Sequence, residues 1–513
     1  MLDLKITNGR ILDGTGAPWF YGDVGVRGDT IVAIGDLRDT PAKTTIDAAR
    51  RIVSPGFIDL LGWSQGVVLD DPYLEAKVRQ GVTTEVGGEG DSPGPSVEGR
   101  FRTLADYLDA IDRRGAAVNF AMLLGGANPR AMVIGNANRQ PTMAEMQQME
   151  AIAAQAMRDG AIGIGTSLIY VPAMYSSTEE LINLSRVVAK HGGVYFSHIR
   201  NEGDAIDAAL DEAFRIGREA DIPVNIWHLK VGGRHNWGRM PQVIARIEEA
   251  RATGLDVSAN VYPYAASSTS LATLAPDWAM EGGYDDFQLR LKNPEERARI
   301  AEALRGQVAR RGEGGIYVSL IYNRDLAQYE KKFIEAIAAE MGVPPEEALM
   351  RLFAESTPSP RVIFFSMNED DVRYALEQPW MSVGSDGSAP TAKQREENQA
   401  VHPRAYGTFA RVAGHYVRDV KLFTLEEAVR KMTSQAALRV NLHDRGVLRA
   451  GMKADILVFS AEEIRDVSTF ADPHHFSEGV SDVVVNGVPV LRDGKMTGAL
   501  PGRSLRGKAY VKR

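Results

Sequence analysis

His198 and His228 stand thirty residues apart, each closing a short apolar run, GGVYFSHIR and IPVNIWHLK. The stretch between them, NEGDAIDAALDEAFRIGREAD, has apolar residues at helical spacing, so the segment reads strand, helix, strand with a histidine at the C-terminal end of each strand. In a parallel α/β barrel that end carries the catalytic side chains. A later run, WMSVGSDG, brings Asp386 to the end of another strand-like segment. Two imidazoles can ligate a zinc-type ion and a carboxylate can serve as a base, a combination suited to metal-assisted hydrolysis.

The elements that must position these residues are set out along 513 residues, long enough for a large barrel with one or two smaller modules. Residues 1–55 are short β-like runs broken by Gly and Asp turn signals. Residues 56–440 alternate strand-like and helical patterns, which predicts βα units around a parallel sheet. Within them, 275–360 form a mainly helical, charged stretch, read as an insertion over the barrel mouth. Asn293 can cap its helix, with Pro294 at the first helical position. Thr142 with Glu145 and Thr424 with Glu427 have capping-box spacing at two further helix starts. Residues 441–513 return to β-like runs, and the two chain ends are expected to pair as one small β-domain, since neither has enough strands alone.

Composition narrows the chemistry. There is no cysteine, so any metal must be held by histidine, carboxylate or a modified lysine. A net charge of -8 without a basic cluster argues against a nucleic-acid partner. The start, MLDLKITNGRILDG, lacks a basic segment followed by an apolar one, and no run reaches the length of a membrane span, so a cytoplasmic location is expected.

Several long stretches carry a resemblance: SPGFID at 54–59, QGVTTEV at 80–86, SHIRNEGD at 197–204, WHLKVGGRHNWGR at 227–239, YPYAASSTSL at 262–271, GSDG at 384–387, HPRAYGTFARVAG at 402–414 and RGVLRAGMKADILVF at 445–459. In this order they resemble the amidohydrolase superfamily, and within it the N-acyl-D-amino-acid deacylases, over nearly the whole chain. The resemblance implies a (β/α)8 barrel joined to a β-sandwich built from both termini, with a metal site at the barrel's C-terminal face. It also implies removal of the acyl group from an N-acyl-D-amino acid or related N-acylated carboxylate.

The chain departs from that pattern at one place. The superfamily usually follows PGFID with His-x-His, whereas Leu61, Gly62 and Trp63 stand here, and neither leucine nor tryptophan can coordinate zinc. The deacylase branch also resembles a cysteine-ligated site after the QGVTT strand, where this chain reads GGEGDSPGP. Glu89, or failing that Asp91, would be the substitute oxygen ligand. Glu89, His198 and His228 then make three ligands with one position left for water, the composition of a mononuclear catalytic zinc site. By family position Asp386 would be the general base, although the same GSDG could cap a helix. The resemblance assigns Lys230 and Arg404 to the substrate's free carboxylate, with a tyrosine and a serine from YPYAASSTS: Tyr262 and Ser268, or Tyr264 and Ser270 at the same spacing. Leu168, Tyr170 and Tyr175 are read as lining the side-chain pocket. His402 is read as positioning the Arg404 loop; His191, His235, His415, His443, His474 and His475 lack strand-end placement and are read as structural. The partner is thus a small molecule with a free carboxylate, and the oligomeric state is left open. A barrel turned to a lyase or non-amide hydrolysis, or a non-catalytic relative, are the competing readings; retention of ligands, base and clamp together argues against the last.

Overall fold

A computed structural model describes residues 1–96 and 99–512. Among them, eight short segments form the barrel wall: Phe57–Asp59, Val82–Gly87, Asn119–Met122 with its continuation Leu124–Gly125, Gly163–Ser167, Val194–His198, Val224–Ile226, Val257–Val261 and Met381–Val383. Neighbouring segments pair in parallel around the ring. A parallel bridge between Gly62 and Gly387 joins the first strand's end to the loop after the eighth. VYFSH and VSANV are buried at every position, as expected for parallel strands covered on one side by helices and packed on the other into the barrel interior.

The helices between them start where the sequence places caps. Thr142 and Glu145 form a full capping box, and Asn293 accepts from the Glu295 and Glu296 backbone N–H groups. Thr424 caps its helix one way only. Its hydroxyl accepts from the Glu427 N–H, but the Glu427 carboxylate is drawn off by Arg430 at 2.6 Å and Lys431 at 3.4 Å.

The chain ends meet in a nine-stranded sheet, where Ile52–Pro55 pairs antiparallel with Ile456–Phe459. One C-terminal piece lies elsewhere: Ser504–Leu505 pairs in parallel with the third barrel strand, so residues 441–513 do not all belong to the β-domain. The insertion differs as well. Besides its helices it holds a four-stranded antiparallel sheet, Ser267–Ser270, Ile316–Leu320, Lys332–Phe333 and Arg361–Phe364, starting before residue 275. Leu271, Phe287, Ile300, Ile316, Leu349 and Phe353 belong to a hydrophobic cluster of its own, separate from the barrel core. Strands as short and polar as SSTS leave too little period-two pattern to be read beside charged helices. No helix among the described residues is long and apolar enough to cross a membrane.

Closure of the ring rests on a buried charge cluster. Lys77, fully enclosed, donates to Asp59 Oδ2 at 2.7 Å, Ser385 Oγ at 2.8 Å and the Gly387 carbonyl at 2.6 Å, with Glu85 Oε2 at 3.4 Å. Asp59 Oδ1 accepts the Ser385 N–H at 2.8 Å, and the Asp386 N–H donates to the Leu61 carbonyl at 2.8 Å. Burial works against the Lys77 cation, but Asp59 and Glu85 outweigh it and hold its pKa above the ordinary value. Removing one partner of a buried pair strands the others, so Lys77→Met is expected to lower unfolding free energy by about 3–5 kcal/mol in a urea titration. A loss no larger than that of a surface ion pair would show that the cluster is solvated.

Candidate metal centre and catalytic cavity

Glu89 follows the second barrel strand, His198 ends the fifth and His228 follows the sixth, so three separate crossovers bring them to the same face. All three are buried, and one ligand-capable atom from each lies within 4.8 Å of the others. Glu89 Oε1 is 2.8 Å from His198 Nδ1 and 3.2 Å from His228 Nε2, and the two imidazoles meet edge-on with centroids 4.4 Å apart. Asp91, the alternative oxygen ligand, is exposed and outside this group.

A fourth residue completes the arrangement. Glu202 lies 3.4 Å from His198 Nε2, 3.0 Å from His228 Nδ1 and 2.6 Å from Lys230 Nζ. Each imidazole therefore has one nitrogen toward Glu89 and the other toward Glu202, with Lys230 Nζ also 2.8 Å from His228 Nδ1. Sequence reading gave Glu202 no role; its position four residues after His198, in SHIRNEGD, was the available signal.

Electrostatics favour positive charge here. Burial alone would raise the Glu89 pKa, yet the two imidazoles hold it far below the usual carboxylate range. Glu202 is likewise held well below that range against its burial, by His198, Lys230 and His228. Burial and Lys230 oppose protonation of His228, but Glu202 and Glu89 prevail and raise it to about 9. Glu89 Oε2 is buried without a hydrogen-bond partner, a costly state for a carboxylate oxygen. One carboxylate and two imidazoles with a spare buried oxygen fit a divalent ion of the zinc class.

These residues line a cavity of about 1420 Å³ that also takes in Trp63, Lys230, Ser268, Asp386 and Arg404. Both His228 and Asp386 have left-handed backbone, with φ of 35° and 49°. Such backbone, strained for histidine more than for aspartate, is held by its surroundings and gathers at active sites. The His228 N–H is tied to Asn260 Oδ1 at 2.8 Å. Asp386 Oδ1 accepts from the Trp63 indole N–H at 2.9 Å, and Oδ2 forms an ion pair with Arg404 Nη1 at 2.7 Å. Arg404 also donates to the Ser268 carbonyl at 3.1 Å. His402 is placed as the sequence suggests: Nδ1 accepts the Arg404 N–H and Nε2 faces the Ala266 carbonyl, while burial and Arg404 push its pKa well down and keep it neutral.

Several expected cavity residues lie elsewhere. Tyr262 is wholly buried, its hydroxyl turned to Met367 Sδ, and its ring lies beneath Arg404 at 4.7 Å and Lys230 at 5.8 Å. It stacks with these two cations rather than lining the cavity. Tyr264 is also buried, with its hydroxyl toward Asp466, and Tyr175 reaches the Asp277 carbonyl instead of the cavity. Ser268 and Ser270 both line the cavity, and Ser270 spends its hydroxyl capping the Ala272 N–H. Leu168 and Tyr170 line the cavity as expected; Tyr170 meets His198 edge-on at 5.8 Å, its hydroxyl 2.6 Å from Thr269 Oγ1. Leu61 lies in a core cluster with Ile58, Val86 and Trp227, so of the two large residues at the His-x-His positions only Trp63 faces the cavity.

The amidohydrolase family profile matches residues 44–491. The chain is 37% identical to D-aminoacylase of Alcaligenes xylosoxydans xylosoxydans, over 98% of this chain and 97% of that one. It is also similar to N-acyl-D-glutamate deacylase from Bordetella bronchiseptica, solved with zinc and a phosphonate mimic of the tetrahedral intermediate: 34% identity, TM-score 0.85, covering 99% and 100% of the two chains. A third likeness, at 37% identity, TM-score 0.84 and the same coverage, is to a D-aminoacylase structure reporting one-metal activation and second-metal attenuation of a binuclear centre. With the barrel, the β-domain and the triad at the strand ends, these matches establish that the chain belongs to the amidohydrolase family, in its D-aminoacylase branch.

Proposed function

We propose that this protein hydrolyses the amide bond of N-acyl-D-amino acids, using one zinc ion per chain held by Glu89, His198 and His228. The observation that carries this reading is the shared cavity. It brings together a three-residue ligand set, a carboxylate outside that set and two cations suited to a carboxylate. A zinc ion bound there supplies Lewis acidity, polarising the amide carbonyl and acidifying water at neutral pH.

The protein's own groups do the rest. Asp386 takes the proton of the attacking water and passes it to the leaving nitrogen, which needs a carboxylate that is charged and fixed in direction. Arg404 and Lys230 hold the substrate's free carboxylate, with Ser268 beside them; in the structure these cations face Asp386 and Glu202, so a bound carboxylate is a third anion shared between them. A planar guanidinium can hold two anions on two edges. Tyr262 supports the clamp from below, and Leu168 with Tyr170 borders the substrate side chain.

Three outcomes are expected. Elemental analysis of protein expressed with ample zinc should give about one equivalent per chain, the occupancy of a single three-ligand site, and His228→Ala should lose most of it; absence of metal from the wild type would end the metalloenzyme reading. Asp386→Asn should abolish turnover with metal content intact, because an amide cannot accept the water's proton. Near-normal turnover would mean the base lies elsewhere. Arg404→Ala should cost on the order of 2–5 kcal/mol more in kcat/KM on an N-acyl-D-amino acid than on the matching neutral amide. Equal losses on the two substrates would show that Arg404 serves Asp386 alone.

A further inference from the structure

At a position where the resemblance calls for a histidine, this chain has a pure hydrogen-bond donor aimed at the base. The Trp63 indole N–H donates to Asp386 Oδ1 at 2.9 Å, and an indole N–H neither coordinates a cation nor takes up a proton. Its backbone is fixed from two sides. The Trp63 N–H reaches the Gly387 carbonyl at 3.3 Å, and Gly62 and Gly387 form the bridge that closes the ring. On the other flank, the Glu85 carboxylate accepts from the Ser64 N–H at 2.7 Å and the Ser64 hydroxyl at 2.8 Å. A Cβ on Gly62 would lie 2.1 Å from Glu85 Cδ, so glycine is the residue that fits between Leu61 and Trp63. Donor and acceptor thus sit on two segments locked to each other by backbone contacts and by the Lys77 cluster.

The two oxygens of Asp386 have different partners. Oδ2 faces Arg404, which is also the clamp for the substrate's carboxylate, whereas Oδ1 faces Trp63, which has no such second duty. We infer that Trp63 is the positioning residue of the reaction: it holds Asp386 Oδ1 throughout the cycle and leaves Oδ2 as the oxygen that exchanges Arg404 for the reacting proton. This rests on Asp386 being the base. It assigns a function to the substitution that removed a histidine: the indole fixes the carboxylate's direction by a neutral hydrogen bond.

Trp63→Phe keeps the ring and deletes the donor. It is expected to lower kcat by about 10- to 100-fold, the worth of a hydrogen bond to a charged group, with KM and zinc content little changed. A residue serving only to fill space would leave kcat near wild type in the phenylalanine variant, and that result would overturn the inference. A second measurement needs neither a Trp63 variant nor bound metal. The indole 15N–1H resonance of Trp63 should lie downfield in the wild-type protein, as a charge-assisted hydrogen bond requires, and move upfield in Asp386→Asn, where the acceptor loses its charge; a resonance indifferent to that change would overturn the inference directly. The two readings fail separately. Turnover by Asp386→Asn would remove the base itself, whereas an inactive Asp386→Asn beside a fully active Trp63→Phe would remove only the positioning role.

Discussion

The constraint on which the site depends is closure of the barrel, and one buried cation sets it. A ring of eight strands must bring the end of the first beside the end of the eighth, and here the junction is polar: Lys77 is enclosed among Asp59, Glu85, Ser385 and the Gly387 carbonyl. Charges removed from water are costly unless every partner is in place, so such a cluster has one satisfied geometry and few near alternatives. That geometry fixes Asp386, whose backbone lies between the Ser385 and Gly387 contacts, and Trp63, whose backbone leans on the same loop. A buried cluster behind the cavity wall therefore fixes the direction of the Asp386 carboxylate, the group proposed as the base.

The second organising feature is the distribution of charge across the cavity wall. Glu89 and Glu202 flank both imidazoles, while Lys230 and Arg404 balance Glu202 and Asp386. Each cation is thus paired with an acid and held in one orientation by it. Tyr262, stacked under both cations, lets them share one π-face without adding an anion.

What the sequence made legible was the part governed by local pattern. The strand-ending histidines could be placed because VYFSH and VNIWH are apolar runs bounded by turn residues, and parallel strands send such ends to one face. Glu89 came from the resemblance, which places a ligand after the QGVTT strand where this chain offers Glu89 or Asp91 in place of cysteine. The residues that escaped are those whose role depends on direction. Tyr262 and Tyr264 differ from cavity residues only in which way the chain turns after the seventh strand, and spacing does not encode that turn. Glu202 has no periodic signature, as a carboxylate in a polar loop, and only its spacing from His198 marked it. Leu61 and Trp63, two residues apart, point differently as well: one packs in the core and the other faces the cavity.

Leu61 and Trp63 stand where the resemblance places histidines, so neither position offers a nitrogen ligand to an ion beside Asp386. The Asp386 carboxylate then needs two other partners. This structure supplies both partners from the protein: a guanidinium that can also meet substrate, and an indole that cannot ionise. The difference between them matters for chemistry, because a contact that must be released during turnover and one that persists through it place opposite demands on a side chain. Arginine suits the first, being charged, forked and able to hold two anions. Tryptophan suits the second, since its backbone is tied to the Gly387 carbonyl, its single N–H is aimed at Asp386 Oδ1, and only the donor half of a hydrogen bond is asked of it.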